Sequence, residues 1–186
     1  MDIIGVSVPR IDAIDKVTGR AAYVGDLEVS GMLHGKILRS PLPHALITGI
    51  DTSEALKLPG VTAVLTRGDL EGLDPFYGAV VRDRPFIATD KVRYQGEPVA
   101  AAAAVDLATA EEALDLIQVE YEVLPPVMDG REAMKKGAPI LHERLVTIEA
   151  SSPGIRPGGT RSEGEDGEES NVATVLEFGL GDVEKG

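Results

Sequence analysis

A chain of 186 residues is long enough for one ordinary domain and too short for two full ones. It carries 31 acidic against 18 basic residues and shows no Lys/Arg stripe interleaved with aromatics, so its surface repels phosphate backbones and nucleic-acid binding drops out as a function class. The absence of cysteine removes disulfides, thiolate metal sites, iron–sulfur ligation and cysteine nucleophiles, while 4% aromatics and no Trp leave Val, Leu, Ile and Ala to build the core.

In chain order, residues 1–31 are punctuated by Gly5, Pro9, Gly19, Gly25 and Gly31 and read as an extended arm with short strand pieces, among them 21–24. Residues 32–39 read as a strand closed by Ser40-Pro41-Leu42-Pro43, and residues 45–50 as a second strand. Asp51-Thr52-Ser53 offers capping oxygens to a short helix through Leu58, which Pro59-Gly60 stops. The β-branched run at 61–66 predicts a buried strand, and 67–90 a glycine- and proline-rich loop.

Residues 92–94 and 98–105 predict two further strands. The second, PVAAAAAV, is apolar on both faces and belongs in the middle of a sheet covered on both sides. Its seven-residue apolar run, 99–105, is far below the roughly 20 residues a membrane helix needs. Asp106 caps the clearest helix of the chain, in which Ala110, Ala113, Leu114 and Ile117 make an apolar stripe opposite Glu111, Glu112 and Asp115. Val119, Tyr121 and Val123 alternate with Glu120 and Glu122, the pattern of a half-exposed strand. Pro125-Pro126 ends it, and a brief helix over 129–135 follows.

In SSPGIRPGGTRSEGEDGEES, residues 151–170, Ile155 is the one large aliphatic side chain; the segment is expected to be a flexible acidic linker. Residues 171–186 read as the truncated start of a following domain, after a first domain over 1–150. The opening MDIIG lacks the basic and apolar regions of a signal peptide, so a cytoplasmic location without a membrane partner is expected.

The sequence offers little chemistry of its own. His34, His44 and His142 lack the spacing of local metal ligands, and His142-Glu143 would need distant partners to form half of a site. Glu97, between Gly96 and Pro98, stands on a loop-to-strand turn where site residues are displayed; bonding to backbone donors of that turn is the favoured reading. No nucleophile elbow or phosphate-cradling glycine motif follows a strand. Catalytic, cofactor-binding and metal-binding residues are therefore expected to number none.

Three segments taken together resemble a known family. They are Arg10-Ile11-Asp12-Ala13 with Lys16-Val17-Thr18-Gly19-Arg20-Ala21; Gly31-Met32-Leu33-His34-Gly35 running to Arg39-Ser40-Pro41 and His44-Ala45; and Lys91-Val92-Arg93-Tyr94-Gln95-Gly96-Glu97-Pro98. From about residue 8 to residue 144 the chain resembles the start of the molybdenum-binding subunit of the xanthine dehydrogenase, aldehyde oxidase and carbon monoxide dehydrogenase family, its α/β-hammerhead domain. Asn171-Val172 and Gly181-Asp182-Val183-Glu184 resemble the opening of the domain that follows. The resemblance implies an α+β fold, with a mixed sheet of short strands and two or three short helices. It implies a structural domain, inactive alone, whose parent holds molybdenum–molybdopterin in downstream domains, with iron–sulfur clusters and FAD on partner domains or subunits. Stiff or permissive backbone beside charged groups points to Arg39, Ser40, Pro41 and His44, with Tyr94, Gln95, Gly96 and Glu97, as interdomain contacts. The competing readings are a stand-alone binding or assembly protein whose acidic linker attracts a basic partner and, behind it, a free-standing enzyme.

Overall fold

In a computed structural model the described residues are 4–78, 81–143, 146–147 and 171–172. They fall into two units, residues 1–32 and residues 33–186. The expected linker at 151–170 and the strand after residue 172 lie outside the described residues.

The first unit contains α1 (Ala13–Val17), which the glycine-punctuated arm did not predict. Asp12 holds it together, pairing with Lys16 Nζ one turn on at 2.6 Å and with Arg10 at 2.5 Å. The strand expected at 21–24 is absent. A 3-10 turn at Val24–Asp26 replaces it, because the Asp26 carboxylate reaches back to accept the Tyr23 N–H at 2.9 Å and so turns the chain. No described residue of this unit is buried.

The second unit contains β1 (His34–Arg39), β2 (Ala45–Asp51), α2 (Ser53–Lys57), β3 (Val61–Leu65), β4 (Phe76–Tyr77), β5 (Val81–Arg82), β6 (Arg84–Pro85), β7 (Lys91–Val92), β8 (Pro98–Ala104), α3 (Leu107–Leu116), β9 (Gln118–Val123), α4 (Gly130–Ala133) and β10 (Val146–Thr147). The α+β class and the short strands agree with expectation. The strands divide between two three-stranded sheets, β1-β8-β3 and β7-β2-β9, and two small pairs, β4 with β6 and β5 with β10, and every pairing is antiparallel.

The polyalanine strand β8 is central, as its composition predicts. Ala100, Ala102 and Ala104 are buried while Ala101 and Ala103 are half-buried, so one face is sealed and the other only in part. Its alanines let α3 lie close: Ala100 and Ala102 join Ala113 of α3, Ile117 just after it and Ala55 of α2 in one core, with Leu38, Val61 and Val64 packed around it. Asp106 Oδ1 caps α3 by accepting the Thr109 N–H at 2.8 Å. The run at 61–66, expected to be buried, is instead an edge strand, since β3 pairs with β8 on one side and leaves Leu65 exposed. At the turn before it, Gly60 takes φ +95°, and an added Cβ would stand 2.9 Å from Val105 Cγ2.

The second sheet has its own core of Ala45, Ile47, Ala88, Val92 and Val99. The loop expected at 67–90 contains a 3-10 turn at Arg67–Leu70, and Arg67 Nη1 donates to the carbonyls of Ile47 (2.8 Å) and Thr89 (3.1 Å), tying that loop to β2. The strand expected at 92–94 is only Lys91–Val92, because the Arg93 N–H turns to the Glu97 carboxylate and leaves the ladder.

Candidate functional site

The sequence-predicted residues come together as two turns bonded to each other. Ser40 donates its N–H to the Glu97 carbonyl (2.9 Å), Gly96 donates its N–H to the Ser40 carbonyl (2.8 Å), and Arg39 Nη1 donates to the Gly96 carbonyl (2.8 Å). Gly96 needs its freedom here, since the turn from Tyr94 to Glu97 places it at φ +93°. Within the first turn the Ser40 hydroxyl donates to the Leu42 carbonyl and accepts the Leu42 N–H. Arg39, Pro41, Tyr94 and Gln95 are exposed, whereas Ser40, His44 and Glu97 are buried.

Glu97 is the most sheltered carboxyl of the turn, 1% exposed, and its Oε2 accepts the Arg93 N–H at 2.5 Å. Burial pushes its pKa up, and the hydrogen bond and the Arg93 charge offset that in part. Its oxygen thus serves the backbone of its own turn. His44 Nδ1 donates to the Pro125 carbonyl at 2.7 Å, which fixes the tautomer and leaves Nε2 as a buried acceptor with no partner among the described residues.

Beside this turn lies a cluster that local sequence patterns do not reveal. Lys91 and Arg93 stand two residues apart at the end of β7, with side chains 5% and 6% exposed. Lys91 Nζ donates to the Ile140 carbonyl (2.9 Å) and pairs with Glu143 (2.5 Å). Arg93 Nε donates to the Leu141 carbonyl (2.9 Å), Nη1 to the Lys91 carbonyl (3.0 Å) and Nη2 to Asp90 (3.0 Å). Burial pushes the Glu143 carboxyl up, but the Lys91 ammonium outweighs it and holds the pKa below the ordinary value. Asp90 is likewise held low: its burial is outweighed by the Arg93 charge together with hydrogen bonds. His142 is pushed down, first by burial and then by the Arg93 charge. The distant partners that His142-Glu143 lacked are thus Lys91 and Arg93, about 50 residues earlier in the chain. Two cations alternating around an apolar Val92 are the one available signal, and it does not name the partner segment.

Glu97, Arg93, Tyr94, Arg84, Tyr77 and His142 line a cleft of about 450 Å³. A carboxyl of raised pKa beside a neutral imidazole has the composition of an acid–base site. The bonds argue for a different role, because the Glu97 oxygen is taken by a backbone N–H and each Arg93 nitrogen by a carbonyl or Asp90. What faces outward is Tyr94, Tyr77 and Arg84. No three His, Cys, Asp or Glu residues converge into a metal-binding group among the described residues, and the chain has no cysteine to ligate an iron–sulfur cluster. Among the described residues no helix is long and apolar enough to cross a membrane.

The fold of the second unit is that of a domain in a known oxidoreductase family. Residues 18–125 match the family model described as the aldehyde oxidase and xanthine dehydrogenase a/b hammerhead domain, and the chain belongs to that family. It is 46% identical over 134 residues to a probable xanthine dehydrogenase subunit from Bacillus subtilis, covering 72% of this chain and 18% of that protein. It is 38% identical over 154 residues to the carbon monoxide dehydrogenase large chain of Afipia carboxidovorans, covering 82% and 19%. Among solved structures, the Cu,Mo-CO dehydrogenase superposes with a TM-score of 0.69 at 40% identity over 75% of this chain and 18% of that one. The aldehyde oxidoreductase from Desulfovibrio gigas gives 0.64 at 35% identity over 73% and 16%. The chain spans about a fifth of the length of the curated relatives it matches.

Proposed function

We propose that this chain is a structural and assembly domain of a molybdenum hydroxylase large subunit, and that it does no chemistry alone. The observation that carries this is the pairing of a hammerhead match with a site whose buried charged groups are spent on the domain's own backbone. Unsheltered apolar side chains support it: Ile4, Ile11, Val17 and Val24 in the first unit, and Phe86, Val123 and Met128 in the second, are more than half exposed. A free-standing domain gains nothing by holding so many in water, whereas a domain built to be covered by its neighbours does.

In this reading residues 1–150 form the hammerhead domain, 151–170 a linker, and 171–186 the opening of a molybdopterin-binding domain. The exposed Arg39, Pro41, Tyr94 and Gln95 meet that neighbour, with Ser40, His44, Gly96 and Glu97 holding the two turns in shape. The buried His44 Nε2, without a partner among the described residues, supports a donor arriving from elsewhere. Molybdenum–molybdopterin would be held downstream, iron–sulfur clusters and FAD on partner subunits, and the complete cytoplasmic enzyme would insert oxygen from water into a C–H bond or oxidise a related small substrate. A relative from Eubacterium barkeri carries the name nicotinate dehydrogenase large molybdopterin subunit, which supports the assignment of the pterin to this class of polypeptide.

The test is co-expression with the Bacillus subtilis relative trimmed of the region this chain matches. Stoichiometric co-purification, lost when Arg39 and Tyr94 are both changed to Ala, is the expected result. Recovery of this chain free of the trimmed relative would favour the stand-alone assembly protein.

A further inference from the structure

Residue 171 returns to the body of the domain far along the chain from the elements that receive it. Its side-chain amide is satisfied on every polar atom. Oδ1 accepts the Leu141 N–H at 3.0 Å, while Nδ2 donates to the carbonyls of Pro139 (2.8 Å) and Ala133 (3.1 Å). The receiving segment, 138–141, lies in no strand or helix, so its backbone has no ladder to satisfy it. Side chains do this instead: Asn171 takes Pro139 and the Leu141 N–H, Lys91 takes the Ile140 carbonyl, and Arg93 takes the Leu141 carbonyl. Three side chains from two distant parts of the chain thus lock one irregular segment onto β7 and, through it, onto the sheet β7-β2-β9.

We infer that Asn171 is a positioning residue, which fixes the place and direction in which the polypeptide leaves the hammerhead domain. The geometry needs an acceptor and two donors in one plane, the inventory of an Asn amide. Asp would keep the acceptor, lose both donors and set a charged oxygen against two carbonyls. Gln would carry the same groups one methylene too far out. Leu141 and Asn171 meet although 29 residues lie between them in the sequence, and the entropic cost of closing a loop rises only logarithmically with its length. The exit is therefore set by the clasp, and shortening the intervening chain should leave it in place. That the exit serves a following domain rests on the function proposed above. The clasp itself does not.

The full chain tests this directly, because the absence of native cysteine allows clean spin labelling. Labels at Glu112→Cys, on the exposed face of α3, and Val172→Cys, directly after Asn171, report the exit by their distance distribution. A narrow distribution is expected in the parent and after deletion of residues 150–166, with at least a twofold broadening in Asn171→Ala and Asn171→Asp. The Leu141 amide should exchange roughly tenfold faster in Asn171→Ala, as befits one lost bond. Circular dichroism checks that the variants remain folded, and Asn171→Asp, nearly isosteric, covers the case in which Asn171→Ala does not. A broad parent distribution, or an Asn171→Asp distribution as narrow as the parent's, overturns the inference. Neither result bears on whether the parent protein is an oxidoreductase.

Discussion

Replacing Arg93 by Met probes the cluster at its centre. The guanidinium is almost fully buried and holds the Leu141 carbonyl at 2.9 Å, the Lys91 carbonyl at 3.0 Å and Asp90 at 3.0 Å. Met fills much of the same volume but donates nothing, so two sheltered carbonyls lose partners at about 1–3 kcal/mol each. Asp90 is 53% exposed and returns to water, so its pair adds at most about 1 kcal/mol. The apolar gain of the Met side chain offsets some of this, which leaves a net loss of about 2–5 kcal/mol, a large fraction of a typical domain's stability. Urea denaturation followed by circular dichroism at pH 7 measures it as a fall in midpoint at unchanged slope. Arg93→Lys, able to reach one carbonyl of the two, should lose less. A loss below about 1 kcal/mol in Arg93→Met would refute the assignment of these bonds as the support of segment 138–141.

Two pH effects of opposite sign follow from the same cluster. Glu97 has a raised folded pKa, so its contribution is present below about 4.5 and is lost as pH rises through the folded value; His142 has a lowered one, so its contribution is present above about 6.5 and is lost as pH falls. Glu97→Gln should therefore stabilise the domain at pH 7 relative to pH 4.5, and His142→Asn should blunt the loss on acidification from pH 7 to 5, each read from urea midpoints at the two pH values. Gly60→Ala places a methyl at φ +95° against Val105 and should cost about 2–4 kcal/mol from backbone strain and overpacking together, seen as a lowered thermal midpoint. Asp106→Ala removes the cap of α3 and should cost about 1 kcal/mol in urea denaturation, without changing the denaturant slope.

The parts of the fold that could be read from the sequence are those whose causes are local. The α3 stripe, its Asp106 cap, the alternation of β9 and the apolar run of β8 each depend on residues within one element, and each is where the pattern placed it. The misplaced parts have causes elsewhere. The run at 61–66 looked buried because it is apolar, yet sheet order decides burial and puts β3 at an edge. The strand at 92–94 stopped short because a carboxylate four residues on captured the Arg93 N–H. The turn bearing Glu97 and its partner turn at Ser40 stand out by glycine and proline beside charge, and the structure joins them by hydrogen bonds. The partners of Lys91, Arg93 and Asn171 leave no local signal, since those at 133–143 are about 30 to 50 residues away and carbonyl oxygens leave no trace in a sequence.

In the proposed function, scaffold and chemistry belong to different parts of a longer enzyme, and metal analysis measures that separation. The chain is co-expressed with the trimmed Bacillus subtilis relative, the complex is dissociated, and molybdenum is quantified on each polypeptide. Molybdenum and turnover should follow the larger polypeptide, with none in this chain. Stoichiometric molybdenum, or substrate oxidation, by the separated chain would contradict the assignment.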